Sequence, residues 1–137
     1  MRVIGLDHVV LLCRDVDASL QFYGDVLGLQ TIDVERWRDG EAFFPSVRVD
    51  ERTIIDLLQG EPDGRNTDHL CLVIEPTDLH ELATRPELNV VEGPVVRGGA
   101  TGKGWSIYVL DPDGYLIELK QYGTDAAGNP APTPTPT

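Results

Sequence analysis

The sequence of 137 residues predicts an α+β fold of two tandem βαβββ modules, whose mixed sheets curve around a cleft. An internal repeat is the first observation, because residues 7–12 align without gaps with residues 68–73 at an offset of 61. The same offset brings Asp17 onto Asp78. The second observation is hydrophobic periodicity, which changes from strand-like to helix-like in the same order in each half. Together they favour a duplicated module.

The repeat and the composition set the expected boundaries. One domain over residues 1–123 contains the modules 1–62 and 66–122. Residues 124–137 alternate Pro and Thr near their end and have few apolar side chains to bury. Such a composition favours an extended, solvated chain, so we expect a disordered tail.

The first module begins with a strand over residues 5–13, which is apolar on both faces. A helix follows that Asp15 or Asp17 can cap, with apolar residues at spacings of three and four and Gly28 at its end. Three strand-like runs complete the module, and they cover residues 31–37, 42–49 and 53–58.

The second module follows the same plan. Its expected elements are a strand over 69–74, a helix over 78–83, a strand beginning at 89, and a final hairpin of strands 105–110 and 115–121. A glycine-rich loop over residues 97–104 is predicted to be a mobile lid near the cleft. Arg97 and Lys103 in this loop are candidate contacts for an anionic substrate.

Composition excludes several classes of function. Eleven Lys and Arg against 23 Asp and Glu give a net charge of −12, which disfavours nucleic acid and anionic membranes as partners. No apolar run approaches the roughly 20 residues of a membrane span, and the first residues do not resemble a secretory signal. Cys13 and Cys71 lie in apolar runs and are expected to be buried free thiols. We therefore expect a soluble cytoplasmic protein that binds a small molecule.

Three side chains are candidates for a metal site. His8 and His69 occupy equivalent positions of the repeated strand, so equivalent modules would point both toward one cleft. Glu118 on the last strand faces the same way if the modules superpose. Two imidazoles and one carboxylate form the facial set that holds a divalent transition metal with open coordination sites. The alternative is that each is an ordinary packed or solvated strand residue.

The sequence resembles the vicinal oxygen chelate superfamily, which includes glyoxalases, extradiol dioxygenases, fosfomycin resistance enzymes and bleomycin resistance proteins. The resemblance covers about residues 3–122. It is carried by four segments: 6–9 (LDHV), 22–29 (FYGDVLGL), 68–70 (DHL) and 106–119 (SIYVLDPDGYLIEL). Residues 92–95 (EGPV) with Arg97 are also similar to a glyoxalase-like subgroup.

This resemblance implies that His8, His69 and Glu118 are ligands of one divalent transition metal. The ligand set accepts Fe, Mn, Ni, Co or Zn, so it leaves the identity of the metal open. It implies a glyoxalase-like fold and, by analogy, a homodimer.

The resemblance also implies roles for three further residues. Asp56 is the counterpart of Glu118 in module one, where glyoxalases place a glutamate as a ligand or proton-transfer partner. The shorter aspartate could act through water, accept a substrate proton, support another group, or be a solvated strand residue. Ser106 and Tyr108 stand where related thiol-transfer enzymes hold substrate oxygens, although Tyr108 also suits a core aromatic.

The function expected from these residues is that of a metal-dependent enzyme of the lyase or isomerase type. Its metal would bind a small substrate through adjacent oxygens while Glu118 and Asp56 serve catalysis. One alternative is extradiol ring cleavage, for which His80 is the only spare histidine. Another is a metal-free protein that sequesters a drug, as bleomycin resistance proteins do.

Overall fold

The computed structural model describes residues 2, 4, 6, 8–64, 67–99 and 101–134. The chain divides into two compact units, residues 1–65 and 66–137. Each unit contains one four-stranded mixed sheet, and few residues are helical. The predicted α+β class and the duplication of its sheet are therefore confirmed.

In its described residues, the N-terminal unit has four strands, two short α-helices and one π-helical segment. In chain order they are β1 (His8–Cys13), α1 (Val16–Leu20), a π-helical continuation (Gln21–Val26), β2 (Gln30–Ile32), α2 (Val34–Arg38), β3 (Ser46–Arg48) and β4 (Ile54–Gln59). The sheet order is β1-β4-β3-β2, with β1 parallel to β4 and the other neighbours antiparallel. Asp15 caps α1 by accepting the Ala18 amide at 3.1 Å, as its sequence position predicts.

The C-terminal unit repeats this topology. Its elements are β5 (Leu70–Val73), α3 (Leu79–Leu82), a 3-10 turn (Pro86–Leu88), β6 (Val90–Gly99), β7 (Gly102–Leu110) and β8 (Leu116–Gln121). The sheet order is β5-β8-β7-β6, and β5 runs parallel to β8. The position of β8 in this sheet therefore corresponds to that of β4 in the other.

Alternation along the strands separates the core from a polar face. In the C-terminal unit the side chains of one face form the core: Leu72, Ile107, Val109, Ile117 and Leu119 are at most 9% exposed. The intervening positions on β7 and β8 carry Ser106, Tyr108, Glu118 and Lys120. β4 shows the same pattern, because Asp56 stands between the buried Ile55 and Leu57.

Two predicted strands of the first module are partly wrong, and the run expected over residues 42–49 is a strand only over Ser46–Arg48. Residues 31–37 were expected to be extended, but only Gln30–Ile32 is a strand, and Val34–Arg38 is the helix α2. Asp33 adopts a left-handed conformation and turns the chain, with φ 60°. Ion pairs three residues apart, Asp33 with Arg36 and Glu35 with Arg38, suit a helical turn. These exposed pairs add little stability, so they accompany the helical turn and do not by themselves account for it.

The predicted lid is instead the end of a regular hairpin. β6 and β7 pair as far as Gly99 with Gly102, and Arg97 pairs with Gly104. Ala100, within the predicted loop, lies outside the described residues. Gly102 supplies a φ of 122° at the turn, a conformation that glycine adopts readily.

The segment expected to be a disordered tail is ordered over residues 124–131. Thr124 bridges Pro130, and the Asp125 carboxylate accepts the amides of Ala127 and Asn129 at 3.0 and 2.9 Å. Ala126, only 8% exposed, accepts the Leu79 amide at the start of α3 through its carbonyl. This turn is held by backbone hydrogen bonds, which composition does not reveal. Residues 135–137 lie outside the described part.

Other predictions have mixed outcomes. Neither Cys13 nor Cys71 forms a disulfide, and Cys13 is buried as expected, whereas Cys71 is exposed on the polar face of β5. Gly5 and Asp7, expected in the first strand, lie outside the described residues.

Within the described part of the chain, no helix has the length and apolar character needed to span a membrane.

Candidate functional site

Glu118 lies on β8 at the centre of the polar face of the C-terminal sheet. Its register neighbours are Cys71 on β5 and Tyr108 on β7. The Glu118 side chain is only 4% exposed. A carboxylate this buried needs polar partners, because an unpaired buried charge is very costly.

Two hydrogen-bond donors hold one oxygen of Glu118. The Ser106 hydroxyl donates to Oε2 at 2.7 Å, and Lys120 Nζ lies 3.3 Å from the same atom. Burial alone would raise the pKa of Glu118. The hydrogen bonds from Ser106, Lys120 and Tyr108, with the charge of Lys120, outweigh that effect and lower the pKa below its usual value. Glu118 is therefore ionised at neutral pH.

The other oxygen of Glu118 faces a histidine. His69 Nε2 lies 3.2 Å from Oε1, and His69 Nδ1 lies 2.6 Å from the Asp68 carboxylate. The two partners lie at opposite ends of the imidazole ring. A carboxylate beside Nδ1 favours the tautomer that carries its proton on that nitrogen, and Nε2 is the atom directed at Glu118.

This arrangement fits a metal ion. In the neutral tautomer that Asp68 favours, His69 Nε2 and Glu118 Oε1 are both acceptors, and two acceptors at 3.2 Å repel unless a proton or a cation lies between them. Imidazole nitrogen and carboxylate oxygen are common ligands of divalent transition metals. Metal-binding histidines commonly donate their other ring nitrogen to a carboxylate, and Asp68 lies beside His69 Nδ1 in this way. His69 and Glu118 can therefore supply two adjacent ligands.

Tyr108 and Arg97 border Glu118. The Arg97 guanidinium lies 5.9 Å from the Tyr108 ring centroid and forms a 2.6 Å ion pair with Glu92. Partial burial, followed by the charge of Glu118, raises the pKa of Tyr108, so its hydroxyl keeps its proton at neutral pH. Tyr108 is thus placed as a hydrogen-bond donor beside the carboxylate.

The predicted substrate-binding residues differ in accessibility. Ser106 is fully buried and donates to Glu118, so its hydroxyl supports the carboxylate instead of facing open solvent. Arg97 is 42% exposed, and Lys103 is partly exposed near the end of the hairpin. Arg97 alone of the two cations contacts Tyr108.

The N-terminal unit carries the equivalent positions. His8 is exposed on β1, and Asp56 lies on β4, only 5% exposed. The Asp56 carboxylate accepts the Ser46 hydroxyl at 2.6 Å. Ser46 was not singled out from the sequence, although its position opposite Asp56 in the register explains the contact. His80 is exposed near the start of α3, as expected of a surface residue.

The described part of the chain contains no group of three or more His, Cys, Asp or Glu side chains arranged to hold a metal ion. The structure therefore brings together a pair of the predicted ligands, His69 and Glu118. The full set with His8 stays a prediction.

Comparison with known proteins identifies the family. Residues 5–119 match the family model described as the Glyoxalase/Bleomycin resistance protein/Dioxygenase superfamily. The chain belongs to this superfamily. The resemblance inferred from the sequence motifs is therefore confirmed.

Individual relatives cover nearly the whole chain. Virulence protein STM3117 of Salmonella typhimurium is 32% identical over 127 residues, covering 89% of this chain and 87% of the relative. Its crystal structure matches with a TM-score of 0.70 at 30% identity, covering 89% of this chain and 99% of that one. A probable lactoylglutathione lyase of Synechocystis sp. is 32% identical over 125 residues, covering 83% and 92%. The glyoxalase-like fold is therefore shown.

Lys120 is a second residue of this superfamily member, after Ser46, that the sequence analysis did not single out. It is 1% exposed and follows Glu118 at the next position on the same face of β8. The sequence does place Lys120 near Glu118, because alternation along a strand puts residues 118 and 120 on one face. Lysine is usually exposed, however, so the residue type alone did not suggest a role.

Cys71 is expected to react slowly with alkylating reagents. Partial desolvation of the thiol, followed by the negative charge of Glu118, raises its pKa from about 9 to about 11. The thiolate is the nucleophile, and its greater intrinsic reactivity at higher pKa offsets part of its lower population. The iodoacetamide rate at pH 8 should therefore be about 10-fold below that of an ordinary thiol. Mass spectrometry of modified peptides measures the rate.

Substitution tests the electrostatic contribution to this rate. Glu118→Gln removes the negative charge and should accelerate Cys71 alkylation several-fold. The fully buried Cys13 is the internal reference for local unfolding, since its modification requires opening of the structure. Equal Cys71 rates in both proteins would show that Glu118 does not suppress the thiolate.

Proposed function

We propose that the protein is a metal-dependent enzyme of the glyoxalase type, with lyase or isomerase activity on a small substrate that offers two adjacent oxygens. The observation that carries the proposal is the 3.2 Å approach of His69 Nε2 to an ionised, buried Glu118 with Asp68 behind the imidazole. We propose His8 as the third ligand. The identity of the metal among Fe, Mn, Ni, Co and Zn stays open.

When bound, the metal would supply Lewis-acid polarisation of the substrate oxygens. Glu118 presents Oε1 while Ser106 and Lys120 hold Oε2, so the carboxylate cannot rotate freely. Tyr108 remains protonated, and its one hydroxyl proton could turn from Glu118 to a substrate oxygen. Proton transfer at the carbon beside a carbonyl also requires a base.

We propose Asp56 as that base. The Ser46 hydroxyl fixes Asp56 Oδ1 at 2.6 Å and so orients the carboxylate for proton transfer through its second oxygen. Arg97 and Lys103 would contact anionic parts of the substrate. Arg97 is favoured because its pairing with Glu92 and its position over Tyr108 keep it near the carboxylate.

Relatives support this proposal at the level of the reaction class. The Synechocystis protein, at 32% identity, is described as a probable lactoylglutathione lyase. A homodimer and a cytoplasmic location are part of the proposal. Light scattering of the purified protein would measure its oligomeric state.

Metal content per chain tests the proposed function. Protein purified without an affinity tag or chelator is measured by plasma mass spectrometry beside Glu118→Ala, with Glu87→Ala as the control on an exposed carboxylate of the same unit. We expect about one transition-metal ion per chain in the wild type and the control, and little in Glu118→Ala.

Activity is then screened with the loaded protein on dicarbonyl–thiol adducts, dicarbonyls and catechols. Turnover of a thiol adduct supports the lyase or isomerase assignment, whereas oxygen consumption with a catechol would favour the dioxygenase alternative. A wild type without metal after reconstitution with all five metals would overturn the proposal and favour a drug-sequestering protein.

A further inference from the structure

Lys120 is the one basic side chain that is buried within the described part of the chain. It lies on β8, where an apolar side chain could fill the same space without desolvating a charge. Burying an ammonium group is favourable only when strong polar partners surround it. Its partners therefore indicate what the charge does.

Three groups surround the ammonium. Lys120 Nζ donates to the Arg97 carbonyl at 2.7 Å and lies 3.3 Å from Glu118 Oε2. It also lies 5.7 Å from the Tyr122 ring centroid, within the range of a cation–π contact. One side chain thus joins the carboxylate of the candidate site to the backbone of β6.

The glycines of the β6–β7 hairpin make room for this side chain. A Cβ at Gly99 would lie 2.9 Å from Lys120 Cε and would overlap the Tyr122 hydroxyl. A Cβ at Gly104 would lie 2.5 Å from the Gln121 carbonyl oxygen. Glycine at both positions lets the hairpin end pack directly on the Lys120 and Tyr122 side chains.

We propose that Lys120 is a positioning residue that couples the end of the β6–β7 hairpin to Glu118. The inference rests on the proposed function for the role of Glu118, but the contacts of Lys120 do not depend on it. Lys120 holds Oε2, so Oε1 is directed to the metal, and the same ammonium fixes the Arg97 carbonyl. Occupation of Oε1 therefore stabilises the hairpin through Lys120.

Hydrogen exchange of residues 97–104 tests the coupling, with Co²⁺ as the probe. In the wild type, we expect Co²⁺ to slow exchange of this segment about fivefold or more. In metal-free Lys120→Met, the segment should exchange about tenfold faster than in the wild type, and Co²⁺ should change its rate less than about twofold. Lys120→Arg keeps the cation and should restore part of the protection.

Two further variants serve as controls. Arg85→Met removes one exposed positive charge from the same unit and should leave hairpin exchange at the wild-type rate. Gly99→Ala places a methyl group against the ends of the Lys120 and Tyr122 side chains. It should disturb their packing on the hairpin while retaining Lys120, and so reproduce the fast exchange of Lys120→Met. If Lys120→Met does not fold, then Gly99→Ala and Lys120→Arg decide the question.

The absorption spectrum of bound Co²⁺ adds a readout that loss of packing alone would not change. A shift in Lys120→Met that Lys120→Arg reverses supports positioning of Glu118. Wild-type exchange rates in metal-free Lys120→Met or in Gly99→Ala would overturn the inference. A wild type that takes up no Co²⁺ contradicts the proposed function alone, since the metal-free comparison still decides the role of Lys120.

Discussion

Glu118→Gln is expected to abolish metal retention and also to destabilise the fold. The amide keeps the size of the side chain but loses the negative charge that binds the metal. Losing a ligand should reduce metal affinity by at least about 100-fold, since loss of an outer-sphere partner alone costs about 10- to 100-fold. Isothermal titration with Co²⁺ measures this loss.

The loss of stability follows from Lys120. Glu118 and Lys120 are both nearly inaccessible to solvent, and the amide leaves the ammonium buried without its counter-charge. Breaking a buried pair by removing one partner costs about 3 kcal/mol. We expect the free energy of unfolding, measured in urea, to fall by about that amount.

The double variant Glu118→Gln, Lys120→Met separates the two effects. It removes the buried charge, so the free energy of unfolding should recover by about 2 kcal/mol relative to Glu118→Gln. Metal binding should not recover. Glu87→Gln, on an exposed carboxylate, should change neither quantity. Full stability of the single variant would contradict the buried pair, and unchanged metal affinity would contradict the ligand assignment.

The pH dependence of the free energy of unfolding tests the ionisation of Glu118 independently of metal binding. Its pKa is lowered in the folded state, so its ionisation stabilises the fold above the pKa of the unfolded chain. That stabilisation is lost as the pH falls through the folded pKa. Glu118→Gln has no such carboxyl, so its stability should fall less steeply in acid.

The sequence predicted the framework of each unit because the framework follows periodic patterns. The repeated strand with His8 and His69, the cap of α1 and the turn before β8 all leave local signals. Helix α2 was missed, since the residues after Asp33 have a strand-like composition and the left-handed turn at Asp33 leaves no clear signal in the sequence. The ordered turn after β8 was missed because it is stabilised by contact with α3, which is distant in sequence.

Two residues of the candidate site could be located from the sequence because they also follow periodic patterns. Strand alternation located Glu118, and the repeat located His69, but neither reveals the partners that arrive from other strands. Ser106 was expected to hold substrate, a role that stays a prediction, and the sequence did not reveal that its hydroxyl donates to Glu118. Lys120 was not singled out, because its burial depends on the path of the hairpin over β8.

Asp68→Ala is expected to weaken metal binding while leaving the fold intact. Asp68 lies 2.6 Å from His69 Nδ1, and its side chain is 75% exposed, so it contributes to the orientation of the imidazole more than to the core. Without this carboxylate, the ring can rotate and the proton can move to Nε2, which removes the lone pair that binds metal. Outer-sphere losses of this kind reduce metal affinity by about 10- to 100-fold.

Two measurements separate orientation of His69 from a general effect of charge. Titration with Co²⁺ gives the affinity, and nitrogen chemical shifts of the metal-free protein give the proton position on His69. Asp63→Ala removes an exposed carboxylate from a loop and should bind metal as the wild type does. A proton on Nδ1 in the wild type that redistributes in Asp68→Ala, together with weaker binding, would establish that Asp68 selects the tautomer. Unchanged shifts and affinity would show that the strand alone orients His69, in which case Glu118 and the sheet geometry suffice to form the ligand pair.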